Sequence, residues 1–333
     1  SSVAGVPSRQ FQQIQQYQMI VSENPSATNQ DKAELEEVLK GQEIQDYQKI
    51  YSKTLDKDFK GKAGLQTITL MMTDKEDLTP FIHLQDHQQE LTLKDGVVIT
   101  AKLAQLAGVK VGQTLEIEGK KLKVAAIAEN YVGHFIYMSQ ASYEQIYGQL
   151  PQANTYLVSL RDTSAPSIER QAGLLMNQSA VSSVVQNASA IRLFDSVASS
   201  LNQTMTILVI VSVLLAIVIL YNLTNINVAE RIRELSTIKV LGFHNNEVTL
   251  YIYRETIVLS LVGIVLGLVS GFYLHQFLIQ MISPATILFY PQVGWEVYVI
   301  PVAAVSIILT LLGFFVNHHL RKVDMLEALK SVE

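Results

Sequence analysis

Four stretches of this 333-residue sequence have residue types at spacings that invite a functional reading. His83-Leu84-Gln85-Asp86-His87 sets two imidazoles at i, i+4 with an acid between them, the spacing of a zinc pair on a helix. Pro80 just ahead and the polar flanks predict instead a solvated turn, which does not hold two rings on one face. Gly112 to Gly119-Lys120 comes nearest to a phosphate-cradling loop, but six residues separate the glycines where that loop needs four, and the context is strand–turn–strand. His318 and His319, beside Arg321 and Lys322, read as the basic end of a helix. No nucleophile-elbow glycine pattern surrounds any serine. Zero cysteines exclude a thiolate zinc site, an iron–sulfur cluster, a disulfide framework and a cysteine nucleophile. The sequence therefore predicts no catalytic, metal-binding or cofactor-binding residue in this chain.

The fourth stretch, Asn227 to Arg254, offers contact rather than reaction. Val228, Ile232, Leu235 and Ile238 recur at i, i+4, i+7, i+10 and make one face of a helix, while Glu230, Arg231, Arg233, Glu234 and Thr237 line the other sides. Gly242 is placed to end that helix, and Asn245 or Asn246 to cap the next. Two readings stand: a solvated helix at a membrane surface, or a docking helix for a soluble partner.

The elements that position this loop are membrane spans. The chain is 49% hydrophobic and 17% charged, against roughly 25% charged in soluble domains, and its mean hydropathy is +0.23. Residues 1–200 hold 18 of the 25 basic and 22 of the 30 acidic residues. No Asp, Glu, Lys or Arg occurs between Asp195 and Glu230, between Glu255 and Glu296, or between Glu296 and Arg321. This pattern excludes an ordinary soluble enzyme, a disordered tail and a basic nucleic-acid binder. It predicts spans at about 205–226, 256–277 and 297–316, each near the ~20 residues that cross ~30 Å of hydrocarbon. All seven basic residues beyond position 200 fall in the 227–254 loop or after 317, which places that loop and the 317–333 tail in the cytoplasm and residues 1–200 outside. Gly263, Gly267 and Gly271 share a face of the second span, either a surface for close helix packing or only the ordinary glycine content of membrane helices. His275 is the one ionisable group inside a span, which argues against an ion-coupled carrier.

The string Glu230-Arg231-Ile232-Arg233-Glu234-Leu235-Ser236-Thr237-Ile238-Lys239-Val240-Leu241-Gly242-Phe243 resembles the cytoplasmic loop of FtsX/MacB-type ABC transporter permeases. Val323-Asp324-Met325-Leu326-Glu327-Ala328-Leu329-Lys330 is similar to the family's closing motif, with Met325 where proline is usual. Gly96-Val97-Val98-Ile99-Thr100, Leu106 to Leu115, and Phe135 to Ser139 resemble its extracytoplasmic core more loosely.

The resemblance implies a permease subunit that does no catalysis itself. It implies a cytoplasmic ABC ATPase dimer, carrying ATP and Mg, docked on the loop through Glu230, Arg231, Arg233, Glu234, Thr237 and Lys239, with Gly242 setting the loop's shape. ATP-driven closure would then move the spans and reshape the extracytoplasmic domain, for export or extraction of a peptide, antibiotic or lipoprotein, or for control of a cell-wall hydrolase. Further implied partners are a second permease unit, as a homodimer or as the other half of one polypeptide, membrane lipid, and an extracytoplasmic protein; nucleic acid is not among them. The expected location is a bacterial plasma membrane. Family units have a span ahead of the outer domain, so the chain is expected to be the C-terminal half of a longer two-repeat permease. The alternative is a membrane-anchored receptor or scaffold whose outer domain binds a ligand without ATP-driven work.

The expected fold is an α+β extracytoplasmic domain in two subdomains, 1–200, followed by an all-α domain of three spans, 201–333. Strands are predicted near 17–22, 66–72, 97–100, 114–118, 122–128, 134–138 and 155–160, and helices near 31–40, 101–107, 140–147, 165–176 and 190–203.

Overall fold

The computed structural model describes residues 6–322 except 60–62, 76–77, 87, 232–233, 235–237, 239–240, 242–244, 283 and 289–293. The chain divides into two compact units, Ser1–Ala198 with Ile282–Pro291, and Ser199–Met281 with Gln292–Glu333.

The first unit is built on a nine-stranded mixed sheet. Its strands are β1 (Met19–Glu23), β2 (Ile44–Phe59), β3 (Gly64–Thr73), β6 (Val97–Thr100), β7 (Thr114–Ile117), β8 (Lys120–Ala128), β9 (His134–Ser139), β10 (Thr155–Leu160) and β11 (Val181–Gln186). They lie in the order β11-β1-β10-β2-β3-β9-β6-β8-β7, while β4 (Gln85–Asp86) and β5 (Gln89–Glu90) form a separate hairpin. The pairs β3–β9 and β6–β8 are parallel and the other ladders antiparallel.

The central strands are apolar at consecutive positions because both faces of the sheet are buried. Val97, Ile99, Ile136 and Met138 point into one cluster, which also holds Leu103 of α3 (Ala101–Ala107) and Tyr143 of α4 (Gln140–Tyr147). Val98 and Tyr137 point into a second cluster on the opposite face, with Ile14, Tyr17, Phe81 and Tyr131. A third cluster packs Met19, Val21, Tyr156 and Val158 under α2 (Asn29–Leu39) and α5 (Ala165–Met176). The α2 helix starts two residues earlier than the pattern predicts. Thr28 is its cap: its Oγ1 accepts from the Asp31 amide at 3.2 Å, and Asp31 Oδ2 accepts from the Thr28 amide at 2.8 Å.

Gly96 precedes β6 at φ +146, where a Cβ would lie 2.5 Å from the Lys123 carbonyl oxygen. Only glycine lets β6 approach β8 so closely, which gives the first residue of the Gly96–Thr100 string a steric reason.

The second unit consists of helices. After the short turn α1 (Val6–Ser8) and helices α2 to α5 come α6 (Asn187–Glu230), α7 (Asn245–Ile282) and α8 (Glu296–Lys322). All three are long and apolar enough to cross a membrane. The side chains of their most apolar windows are almost all exposed, Leu208, Leu215, Leu266 and Leu311 among them. Uncovered apolar surface on that scale is stable only against lipid or further helices. The α+β domain followed by three such helices is the fold class that the sequence predicts.

Candidate functional site

At the loop end of the second unit, α6 ends on exposed Glu230. Arg231 follows and donates from Nη2 to Glu255 Oε2 of α7 at 2.7 Å. Glu234 is helical and exposed. Val228 and Ile238 turn the other way, into a cluster with Tyr253, Ile308, Leu312 and Val316. Glu230 and Glu234 are thus in solvent and Val228 and Ile238 inward, as an amphipathic helix requires, while Leu241 beyond them is exposed. Arg233, Thr237, Lys239 and Gly242 lie outside the described residues. The Arg231–Glu255 pair is about half exposed and staples the start of the loop to the helix that follows it.

Gly263, Gly267 and Gly271 line one wall of an apolar cleft of about 660 Å³, faced by Ala216, Leu220 and Pro301. A Cβ on any of the three would meet nothing within 4 Å, so among the described residues no helix closes onto the stripe.

The most elaborate polar construction is in the first unit, and the sequence reading did not single it out. Gln10 is fully buried and Asn130 nearly so. Gln10 Nε2 donates to Asn130 Oδ1 at 2.8 Å, and Gln10 Oε1 accepts from the amides of Tyr131 at 2.8 Å and Val132 at 3.2 Å. Asn130 Nδ2 donates to the carbonyls of Val132 at 2.7 Å and Gly133 at 3.2 Å. Two side-chain amides thereby shape the loop 130–133, whose Gly133 sits at φ +80. That loop receives the segment joining α7 to α8. The Gly133 amide donates to Thr286 O and the Leu288 amide to Tyr131 O, both at 2.8 Å, with Val132 and Ile287 paired as an antiparallel bridge. Leu288 packs against the second cluster, as does Phe194.

The start of α6 is tied to the same place. Asn187 Nδ2 donates to Tyr17 O at 2.6 Å and its amide to Gln18 O at 3.0 Å. Three separate pieces of chain, 6–18, the head of α6 and 284–288, therefore grip one buried cluster. The Gln-rich run 10–18 and the glycine at 133 were the only signals of this in the sequence.

Little else in the first unit has the makings of chemistry. Glu23 is buried and takes Lys49 at 2.5 Å, Lys32 at 3.6 Å and the Tyr156 hydroxyl at 2.9 Å. Burial pushes its carboxyl up, but hydrogen bonds from Lys49 and Tyr156 and the charges of both lysines outweigh this and hold it below the usual range. That network ties β1 to β2, β10 and α2. His83 precedes the β4–β5 hairpin instead of lying on a helix, and His87 lies outside the described residues. Among the described residues no three of His, Asp and Glu come together to hold a metal ion.

Residues 206–325 match the family model "FtsX-like permease C-terminal". No curated protein sequence matches the chain significantly. Solved structures similar to it include the periplasmic region of MacB from Actinobacillus actinomycetemcomitans, at 11% identity, 55% of this chain, 94% of that one and a TM-score of 0.32. The extracellular domain of the noncanonic ABC-type transporter YknZ from Gram-positive bacteria is another, at 16% identity, 51% of this chain, 98% of that one and a TM-score of 0.30.

Proposed function

We propose, from the premise that residues 206–325 are an FtsX-like permease C-terminal domain, that this chain is the non-catalytic permease component of an ABC-type transporter and converts ATP hydrolysis in a separate cytoplasmic ATPase into movement of its extracytoplasmic N-terminal domain. The ATPase supplies the ATP and Mg site and docks on the 227–254 loop. Basic residues beyond position 200 assign that loop and the C-terminal end to the cytoplasm of a bacterial plasma membrane.

The observation that carries the mechanical reading is the double grip on the N-terminal domain. Asn187 fixes the head of α6, and the 286–288 strap fixes the segment between α7 and α8, both on the cluster around Tyr17 and Tyr131. A domain merely hung on the membrane needs one flexible connection. A domain whose own fold takes in the head of α6 and the segment between α7 and α8 is expected to follow those helices.

The test is co-purification. Arg231→Glu combined with Glu234→Lys reverses two loop charges and should abolish capture of a P-loop ATPase from the native membrane. Glu255→Gln serves as control, because it breaks the Arg231 pair without altering the charge of the loop and should leave capture intact. Undiminished capture by the double variant would remove the loop as the dock.

A further inference from the structure

The nine-stranded sheet ends on β7, and its end is unusually placed. The turn Glu118-Gly119, with both residues at positive φ (49° and 73°), closes the β7–β8 hairpin on the pair Ile117–Lys120. A two-residue turn of this kind makes that pair a hydrogen-bonded one, and alternation then bonds Leu115 to Leu122. The Val124 amide donating to Gln113 O at 2.9 Å continues the series. The amides and carbonyls of Thr114 and Glu116 must therefore point away from β8, along the open edge.

Across from that edge stands a second one. β10 pairs with β2 only as far as Ile50, and the Asn154 side chain extends the pairing by one step, accepting from the Ser52 amide at 2.8 Å and donating to Ser52 O at 3.0 Å. Beyond Ser52, among the described residues, the register pairs β2 with β3 alone. Two side chains reach between the edges: Lys57 Nζ donates to Glu116 O at 2.6 Å, and Lys53 Nζ to Glu118 Oε2 at 2.8 Å. Between them runs a groove of about 310 Å³ with Phe59, Leu106, Val109 and Leu115 in its lining. The seam is closed by lysine side chains where a strand is missing. Exposed ties of this kind contribute little and yield readily.

The charge around the seam selects its occupant. Lys53 and Glu118 neutralise each other, leaving Lys57, Lys110, Lys120, Lys121 and Lys123 against Asp56, Asp58 and Glu116, a local excess of positive charge in a stretch, 1–200, with four more acids than bases. Two copies of this edge would repel each other, whereas an acidic strand is attracted. We propose that the β7 edge is a docking site for an acidic, extended segment of a partner protein, which adds as a strand to Thr114 and Glu116, sets apolar side chains into the groove and places carboxylates against the lysines.

The probe is an acetylated eight-residue peptide alternating valine and glutamate, added to the full chain in lipid nanodiscs, with the valine–lysine peptide as control. Amide hydrogen exchange should slow at Thr114 and Glu116 with the acidic peptide and not with the basic one. Glu116→Pro removes an outward amide without touching the β8 ladder and should weaken binding about tenfold or more. Lys121→Glu with Lys123→Glu, two exposed changes, should weaken it similarly while leaving thermal unfolding unchanged. Equal binding of both peptides, no protection at 114–117, or protection that appears without peptide and grows with protein concentration would each overturn the proposal, the last by showing a second copy at the edge.

Discussion

His134 opens β9 with 2% of its surface exposed and with neither ring nitrogen hydrogen-bonded. Burial, and then the charge of Lys102, hold its pKa below the ordinary histidine value. The sign of the pH effect follows. Near pH 7.5 the ring is neutral in folded and unfolded chains alike, and nothing is lost. As pH falls through about 6.5 the unfolded chain takes up a proton that the folded one refuses, so stability drops until the lower folded pKa is reached. Glu23 acts in another window: its stabilisation is complete above the unfolded value of 4.5 and is lost as pH falls through the lower folded value. His134→Phe should therefore flatten the decline in thermal midpoint of the N-terminal domain between pH 7.5 and 5.5, and leave the fall below pH 4.5 in place. An unchanged slope between 7.5 and 5.5 would acquit His134.

At the scale of elements, the β6–β8 crossing depends on one glycine. Gly96→Ala puts a methyl 2.5 Å from Lys123 O and 3.3 Å from Ala125 Cβ, with a φ of +146 that alanine resists. A loss on the order of 2–4 kcal/mol in urea unfolding is expected; a loss under about 0.5 kcal/mol would mean that β8 gives way freely. This string was legible in the sequence because strands buried on both faces show as unbroken apolar runs. The helices α2 to α5 were legible too, although the Thr28 cap that starts α2 at Asn29 was not. β2 was not, although it is the longest strand and spans two ladders. Its buried Ile44, Ile50, Leu55 and Phe59 are separated by Asp46, Lys49, Lys53, Asp56 and Lys57, several of which are bonded to distant partners that no local pattern reveals. Gln10 and Asn130 escaped notice for the same reason. Their value lies in a contact across 120 residues, and a glutamine in a Gln-rich run looks like solvent-facing chain.

For the whole molecule, the proposed function asks how the N-terminal domain would respond to the membrane helices. One helix, α6, runs unbroken from Asn187 to Glu230. On the proposed mechanism that helix pulls at one attachment, and the 286–288 strap, held by two 2.8 Å main-chain bonds and the side chain of Leu288, gives the domain a second. On this view the strap stays closed while the helices move. Leu288→Pro tests it directly, because proline deletes the donor to Tyr131 O and the leucine anchor together, yet lies far in sequence from the 227–254 loop. The variant should still capture the ATPase. Trapping that ATPase with ATP and vanadate should alter hydrogen exchange across the N-terminal strands of the unmodified chain, and should do so several-fold less in Leu288→Pro. Equal responses in both would show that α6 alone carries the motion and that the strap is only a fastening.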